Sequence, residues 1–598
     1  MLETALQFGL LFLSFAGWGL AAFTVLKMNS AFIPVFLLSA VTVVLFGAGT
    51  IHFLPEAAWA LYVGGFVALA LFLFFAGRGK CALDKKQLLS PGAVFFAVST
   101  IILMILLQGL YFIHYDNFSH WALIVKEMYL MDGLPDDSTV ITFQNYPPGT
   151  AVFIYYVLKF VGYGESYALM AQGLLVLSGL TALFAFTTWK KPSYIIMTCI
   201  AATGLFFLEF HRIYNLLVDF PLAMIAFTPV IIAYYYRTDW KRSIWTTVPI
   251  LVLLILIKDS GKLFLVINVL FITGMMLSSV WKKEKGWKKT LAPGAAAAVL
   301  AGVPILFNLL WGKYTETAYR SSYAENKFAI TPSKLFDPEK GSEFIQTLLL
   351  KMITTFINWE STGFITFLAL SAACVAGLML FRIYSRSIPR MLIYTFTFLI
   401  GAFLLYMTSL YLMYLFLMPE KEAVVLAGFG RYTVTIILYT GAIGMGALLL
   451  EWSRIKQPAV KTVSAVIFAL LFLTPVYLNY DQTARPELQD TVRAKVKPAL
   501  ERIEEDEKEN ARILYYSPKS QEDSGYLHFL ATYEQLSENH ATIKSCSNDV
   551  QKKQFRSELK KADYLVIVDH DNSSCLTTAS LDADGIYKRD GATFKRLQ

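Results

Sequence analysis

Apolar runs long enough to cross a bilayer, separated by short polar links, recur along this chain from residue 5 to residue 479. A helix needs about 20 consecutive apolar residues to span the hydrocarbon core. On that criterion spans are predicted near 5–26, 31–54, 58–76, 92–114, 166–188, 193–209, 217–236, 243–257, 263–280, 291–310, 361–381, 391–417, 432–450 and 462–479. The first has no basic segment ahead of it and no small-residue cleavage site, so it reads as a permanent helix rather than a secretory signal. The stretch 149–162 follows Pro147-Pro148-Gly149 and carries Lys159 and several tyrosines. It is predicted as a half-buried or interfacial helix that does not cross.

After Tyr480 the pattern changes to polar and charged. Val492 to Asn510 is dense in Lys, Arg and Glu and reads as a solvated helix or linker. Strands are predicted at Ala511–Ser517, Ala541–Ser545 and Asp563–Asp569, and helices at Tyr526–Leu536 and Val550–Lys561. The expected fold is therefore an all-α polytopic membrane protein of about fourteen helices with a small C-terminal α/β domain. Its parts are N-terminal spans over 1–91, a main membrane module over 92–480, and the appended domain over 481–598. With no glycine-rich nucleotide loop, that domain reads as an acceptor-binding or structural appendage.

Composition agrees: 56% of the 598 residues are hydrophobic and only 16% charged, where a soluble domain has about 25% charged. A formal net charge of +8 raises nucleic acid as a partner. The basic residues, however, sit in links between spans rather than along one soluble face, so no nucleic-acid partner is expected. The links 77–86, 189–191, 237–242, 281–289, 382–390 and 454–461 are all basic. The positive-inside rule assigns them to the cytoplasm, which leaves both termini and the C-terminal domain outside.

Three longer segments then face outward, 114–162, 209–218 and 311–360, the last with an interfacial helix near Ser342–Asn358. Long loops on one face are where function concentrates. Cys199 and Cys374 lie within apolar runs and read as inert packed thiols. Cys546 and Cys575 fall in the outer domain, where a disulfide is permitted but not required.

The most informative stretch is His114-Tyr-Asp-Asn-Phe-Ser-His-Trp121, at the outer end of a span. Asp116 there is either a solvated rim residue or a working carboxylate. It is followed by Asn145-Tyr-Pro-Pro-Gly-Thr150, a rigid element opening a helix, and by Val218-Asp219-Phe-Pro221 at another outer helix entrance. The Asn117-Phe-Ser119 sequon reads as coincidental.

Together these residues resemble the GT-C class of membrane glycosyltransferases, and within it the branch of protein mannosyltransferases and the lipid A aminoarabinose transferase. Asp116 matches that branch's acid in the first outer loop, and Tyr146-Pro147-Pro148-Gly149 its Pro-Pro motif. Tyr146 stands where the motif usually has His, and three spans precede the module. The resemblance covers roughly residues 92–270. It implies transfer of a sugar from a polyprenyl-phosphate carrier to an outer-face acceptor with inversion, Asp116 being the general base.

Other residues fit that chemistry without being decided by it. His120, one helical turn from Asp116, either orients the carboxylate, contacts an acceptor, or faces water. Cations are needed for the leaving phosphate; Arg212, Lys258, Lys262 and Arg431 are available. Lys258 and Lys262 divide between phosphate contact and an ion pair with Asp259, and Arg431 between phosphate contact and interfacial anchoring. Arg320, among the tyrosines of 314–327, belongs to a loop suited to sugars or simply to solvent. Asp116, His120 and Asp219 can share a divalent ion only if their loops meet, and no cofactor is expected.

The expected partners are a polyprenyl-phosphate-linked sugar, a glycan or cell-wall polymer acceptor and the lipid bilayer, in a bacterial plasma membrane. The rival functions are a lipid-linked glycan flippase or other transporter, and a glycan polymerase or ligase. Transporters place ionisable sites near the bilayer midplane and often show repeats; here the acids cluster at the rim.

Overall fold

The computed structural model describes residues 2–79, 84–283, 288–319, 342–489, 491–503, 510–518, 525–571, 575–576, 581 and 583–597. The protein is predominantly helical. Among the described residues, ten helices are long and apolar enough to cross a membrane, from Glu3–Thr24 to Pro458–Leu478. Shorter apolar helices occupy Ile33–Gly49, Pro91–Leu107, Pro192–Leu208 and Asp219–Tyr235. The chain is thus a multi-pass protein with a small sheet domain at its C-terminal end.

The bundle has two chemically distinct ends. At one, the links between helices are stitched together: the Asn29 side chain donates to the Ala185 carbonyl, Trp189 Nε1 to the Leu89 carbonyl, and Arg242 Nη1 to the Lys27 carbonyl. Two of the basic links, 189–191 and 237–242, take part. Helices leaving this end, such as Pro91–Leu107, arrive at the other beside the segments around residues 112, 165 and 209.

The stretch after the Pro-Pro element forms a helix, Gly149–Val161, but it is not half-buried. Only Lys159 and Phe160 are partly exposed, because neighbouring helices enclose the rest. Lys159 and the Tyr155 hydroxyl both bond the Asp132 carboxylate, tying this helix to the turn after Ala122–Met131. A Cβ at Gly149 would lie 2.6 Å from the Leu256 carbonyl oxygen, so the fourth residue of Tyr-Pro-Pro-Gly has to be the smallest one. That contact sets the motif against the end of the Trp240–Ile257 helix, two residues before Lys258.

The segment expected over 311–360 begins later than its composition suggests. The Lys288–Ala318 helix continues past Trp311. Trp311 Nε1 donates to the Asn145 carbonyl at 3.0 Å, and the Tyr314 hydroxyl to the Leu134 carbonyl at 3.1 Å, which lays this helix on the segment 114–162. Residues 320–341, and with them the candidate Arg320, lie outside the described residues. A helix is present at Ser342–Phe356, where one was expected near Ser342–Asn358.

The C-terminal domain is a five-stranded sheet of β1 (Ile513–Tyr516), β2 (His540–Ile543), β3 (Tyr564–Ile567), β4 (Gly585–Asp590) and β5 (Thr593–Arg596), in the order β2-β1-β3-β4-β5. β1 runs parallel to β2 and β3, with helices Tyr526–Gln535 and Asp549–Lys561 as crossovers, while β4 and β5 are antiparallel. β1 and β3 are wholly buried, as central parallel strands are. Cys546 and Cys575 form a disulfide with Cα atoms 6.1 Å apart. Val492–Leu500 is not a solvated linker, since Arg493, Val496 and Leu500 on it are buried.

Candidate functional site

Between the Pro91–Leu107 helix and the Ala122–Met131 helix, the chain makes one π-helical turn, Asn117–Trp121, with Asp116 just before it. Asn117 is fully buried, and its Oδ1 accepts the Leu216 amide at 2.9 Å. The sequon asparagine is therefore a clasp between the segments 114–162 and 209–218. Asp116 is left at the edge of this turn, with its side chain 22% exposed.

Its partner comes from far along the chain. Gly428 adopts φ +76°, a left-handed conformation that glycine takes without strain, and opens the Phe429–Trp452 helix. The Tyr414 hydroxyl holds the preceding turn through the Ala427 carbonyl at 2.7 Å. Arg431, in the first turn of that helix, places Nη1 2.7 Å from Asp116 Oδ2. Arg431 is thus the group that orients the carboxylate. Among the described residues Oδ1 of Asp116 accepts no hydrogen bond.

A second pair lies next to the first. Lys258, in the link after Trp240–Ile257, bonds Asp219 Oδ1 at 2.7 Å. Tyr432 joins the two: its ring centre is 4.7 Å from Lys258 Nζ and 5.8 Å from the Arg431 guanidinium carbon. Burial works to lower the Lys258 pKa, but the Asp219 carboxylate and the Tyr432 hydroxyl outweigh it, and the net shift is upward. Lys258 is a cation here. A third pair, Arg212 Nε to Glu209 Oε2 at 2.8 Å, stands on the 3₁₀ turn Phe210–Tyr214. Burial raises the Glu209 pKa against the pull of Arg212, and both Asp219 and Arg431 act on it, so this pair shares the field of the other two.

Tyr146 closes the group. Burial raises its pKa, with Tyr432, Asp259 and Asp116 adding to the shift and Arg431 opposing it, so its hydroxyl stays protonated beside the acids. His120 packs edge-on against the Tyr146 ring with centroids 5.0 Å apart. Its two ring nitrogens are buried and, among the described residues, have no hydrogen-bond partner, so it does not orient Asp116. Nor does it face water: it is 2% exposed, and burial pushes its pKa down to about 3.

Asp116, Tyr146, Asp219, Lys258, Arg212 and Arg431 thus converge on one end of the bundle, and His120 supports them from behind. Lys262 stands apart. It pairs with Asp259 at 2.6 Å, about half exposed, where an ion pair contributes little. Lys258 pairs with Asp219 and not with Asp259. Glu209 and Tyr432 are members that the sequence reading left out; the Gly-Arg-Tyr run beginning at Gly430 was the available signal for Tyr432.

Among the described residues no three His, Cys, Asp or Glu side chains converge as a metal site requires. No family model matches the chain, and neither curated proteins nor solved structures give a match.

Proposed function

We propose that the protein is a glycosyltransferase of the GT-C type, moving a sugar from a polyprenyl-phosphate carrier to a cell-surface or cell-wall acceptor on the outer face of a bacterial plasma membrane. The observation that carries this reading is the Asp116–Arg431 pair, in which one carboxylate oxygen is held by a guanidinium and the other accepts no hydrogen bond among the described residues. Asp116 Oδ1 takes the proton of the acceptor hydroxyl as that oxygen attacks the anomeric carbon. The bond to the carrier phosphate breaks on the opposite face, giving inversion. Such base assistance contributes ~10²- to 10⁴-fold. Lys258, Arg212 and Arg431 balance the charge developing on the phosphate.

Support for a lipid carrier comes from the helix that bears Arg431. Farther along, Gly441 and Gly444 line an apolar cavity of about 340 Å³, together with Leu370, Cys374, Leu399 and Leu448. At ~1.5 Å of rise per residue this lies roughly 15–20 Å below Arg431, within reach of an isoprenoid tail whose phosphate is at the rim. The proposed topology has fourteen crossings with both termini outside. It draws on helices at all fourteen spans, on the basic links 189–191 and 237–242 at the opposite end, and on the C-terminal domain lying beside Asp116. Turnover is proposed to be independent of a divalent metal, because a monophosphate carrier does not require one.

The deciding experiment compares surface glycans by mass spectrometry from cells with the wild-type chain, Asp116→Asn, or none. Asp116→Asn, folded and present at normal level, is expected to give the glycan profile of cells lacking the protein. An unchanged profile removes the base mechanism.

A further inference from the structure

The chain leading into Asp116 is held from the C-terminal side of the protein. Arg493 is 1% exposed and uses its whole guanidinium. Its Nη1 and Nη2 grip both Glu165 carboxylate oxygens, at 2.7 and 2.5 Å, and its Nε bonds Glu534 at 2.7 Å. Nη1 also bonds the Phe112 carbonyl at 2.7 Å. The Phe112 amide in turn donates to Glu165 Oε2 at 2.6 Å. Both backbone groups of Phe112, four residues before Asp116, are thus fixed by one ion cluster. The next carbonyl, Ile113, accepts the Tyr526 hydroxyl at 3.0 Å.

Side chains repeat the pattern. Tyr115 meets Phe529 edge-on at 5.4 Å, and Phe118 meets Tyr526 and Tyr533 at 5.6 and 5.3 Å. Tyr533 donates to Glu165 at 2.9 Å, while Lys126 donates to the Tyr533 carbonyl at 2.7 Å. The residues on either side of Asp116 are therefore in contact with the Tyr526–Gln535 helix. A buried arginine with two carboxylates costs desolvation, and replacing it with packed apolar groups is often neutral for stability. Its worth here is geometric: a fork with fixed angles sets where the Asp116 turn lies.

We propose that the C-terminal domain is a working part of the site, with Arg493 as the positioning residue that holds residues 112–118, and so Asp116, against Arg431. The proposal rests on Asp116 being the base. A cleft assembled this way is complete only when the outer domain is docked.

Amide hydrogen exchange on the full-length protein in lipid nanodiscs, followed in peptides covering 111–121, tests it. Arg493→Ala is expected to speed exchange there by about tenfold and to reduce surface glycan transfer as far as Asp116→Asn does. Arg493→Lys, which keeps the charge and part of the bonding, is expected to recover part of both. Arg512→Ala, which breaks an ion pair with Glu558 inside the same domain, is expected to change neither. A folded Arg493→Ala protein with unchanged exchange over 111–121 overturns the proposal, as does equal loosening by Arg512→Ala. Should Arg493→Ala fail to fold, Tyr526→Phe decides, since it deletes one hydroxyl: faster exchange confined to 113–115 supports the proposal and unchanged exchange overturns it. If Arg493→Ala loosens the turn while Asp116→Asn leaves transfer intact, the positioning role stands and the base assignment falls.

Discussion

Arg431 and Asp116, 315 residues apart in the chain, meet through Nη1 and Oδ2 at 2.7 Å. A carboxylate held by one oxygen cannot turn away from an incoming hydroxyl, and Lys cannot reproduce the planar donor set that Arg offers. Arg431→Lys is therefore expected to keep the protein folded and lower transfer by about tenfold. Asp116→Asn is expected to lower it by ~10²-fold or more. Transfer measured on membranes with equal protein content checks both.

The Lys258–Asp219 pair is largely enclosed, with side chains 21% and 7% exposed. Removing one partner strands the other, at a cost of ~3–5 kcal/mol for a fully buried pair and somewhat less here. Lys258→Met and Asp219→Leu are each expected to lower the thermal unfolding midpoint. The double substitution is expected to recover most of that loss without recovering transfer. A double mutant as inactive as it is unstable would instead make the pair purely structural.

Protonation state gives a third prediction. The folded pKa of His120 is about 3 against an ordinary 6.5, because burial penalises the charged ring. Between those values the unfolded chain binds the extra proton, so the stabilising contribution is complete above pH 6.5 and is lost as pH falls toward 3. The slope is about 1.4 kcal/mol per pH unit. Burial also lowers His211, with Arg212 and His114 adding to it, and lowers His540, with His528 adding to it, each to about 4. These two groups act in the same window. His120→Phe is expected to flatten, but not abolish, the acid limb of melting midpoint against pH.

The Cys546–Cys575 disulfide closes a segment of 29 residues in the C-terminal domain. Chain entropy alone makes it worth roughly 3–4 kcal/mol. Cys575→Ser is expected to admit protease to the β3–β4 region at lower temperature while the helical bundle melts as before.

Addition of a chelator is expected to leave transfer at its full rate. Loss of transfer, restored by a divalent cation, would assign the rim carboxylates to metal binding.

The helices were legible because each needs only a local count of apolar residues. The short strands β1 and β3 were legible for the same reason, being runs such as Ile-Leu-Tyr-Tyr and Tyr-Leu-Val-Ile. β4 was not: in Gly-Ile-Tyr-Lys-Arg-Asp only Ile586 and Tyr587 are buried, and its identity comes from pairing with β3. Asp116, Asp219, Lys258 and Arg431 stood out because ionisable groups at a membrane rim are uncommon. Their pairing did not, since Lys258 had a nearer acid in Asp259 and chose Asp219. Arg493 was hidden by its setting, a block of Lys, Arg and Glu that looks solvated. Its burial depends on Glu165, 328 residues earlier, together with Glu534. His120 looked like a rim residue because its π-helical turn, which aims it inward, leaves no mark in the hydropathy.

The bond from Arg493 to the Phe112 carbonyl spans 381 positions, which gives the protein a schedule. A ribosome adding 5–20 residues per second emits residue 493 roughly 20–80 s after residue 112. For that interval every later membrane helix, from Glu165 to Leu478, emerges while the turn beside Asp116 lacks its tether. A stretch translated after all the described membrane helices is the one that tethers the segment leading into Asp116, so a nascent chain cut short before it would reach the bilayer without that tether.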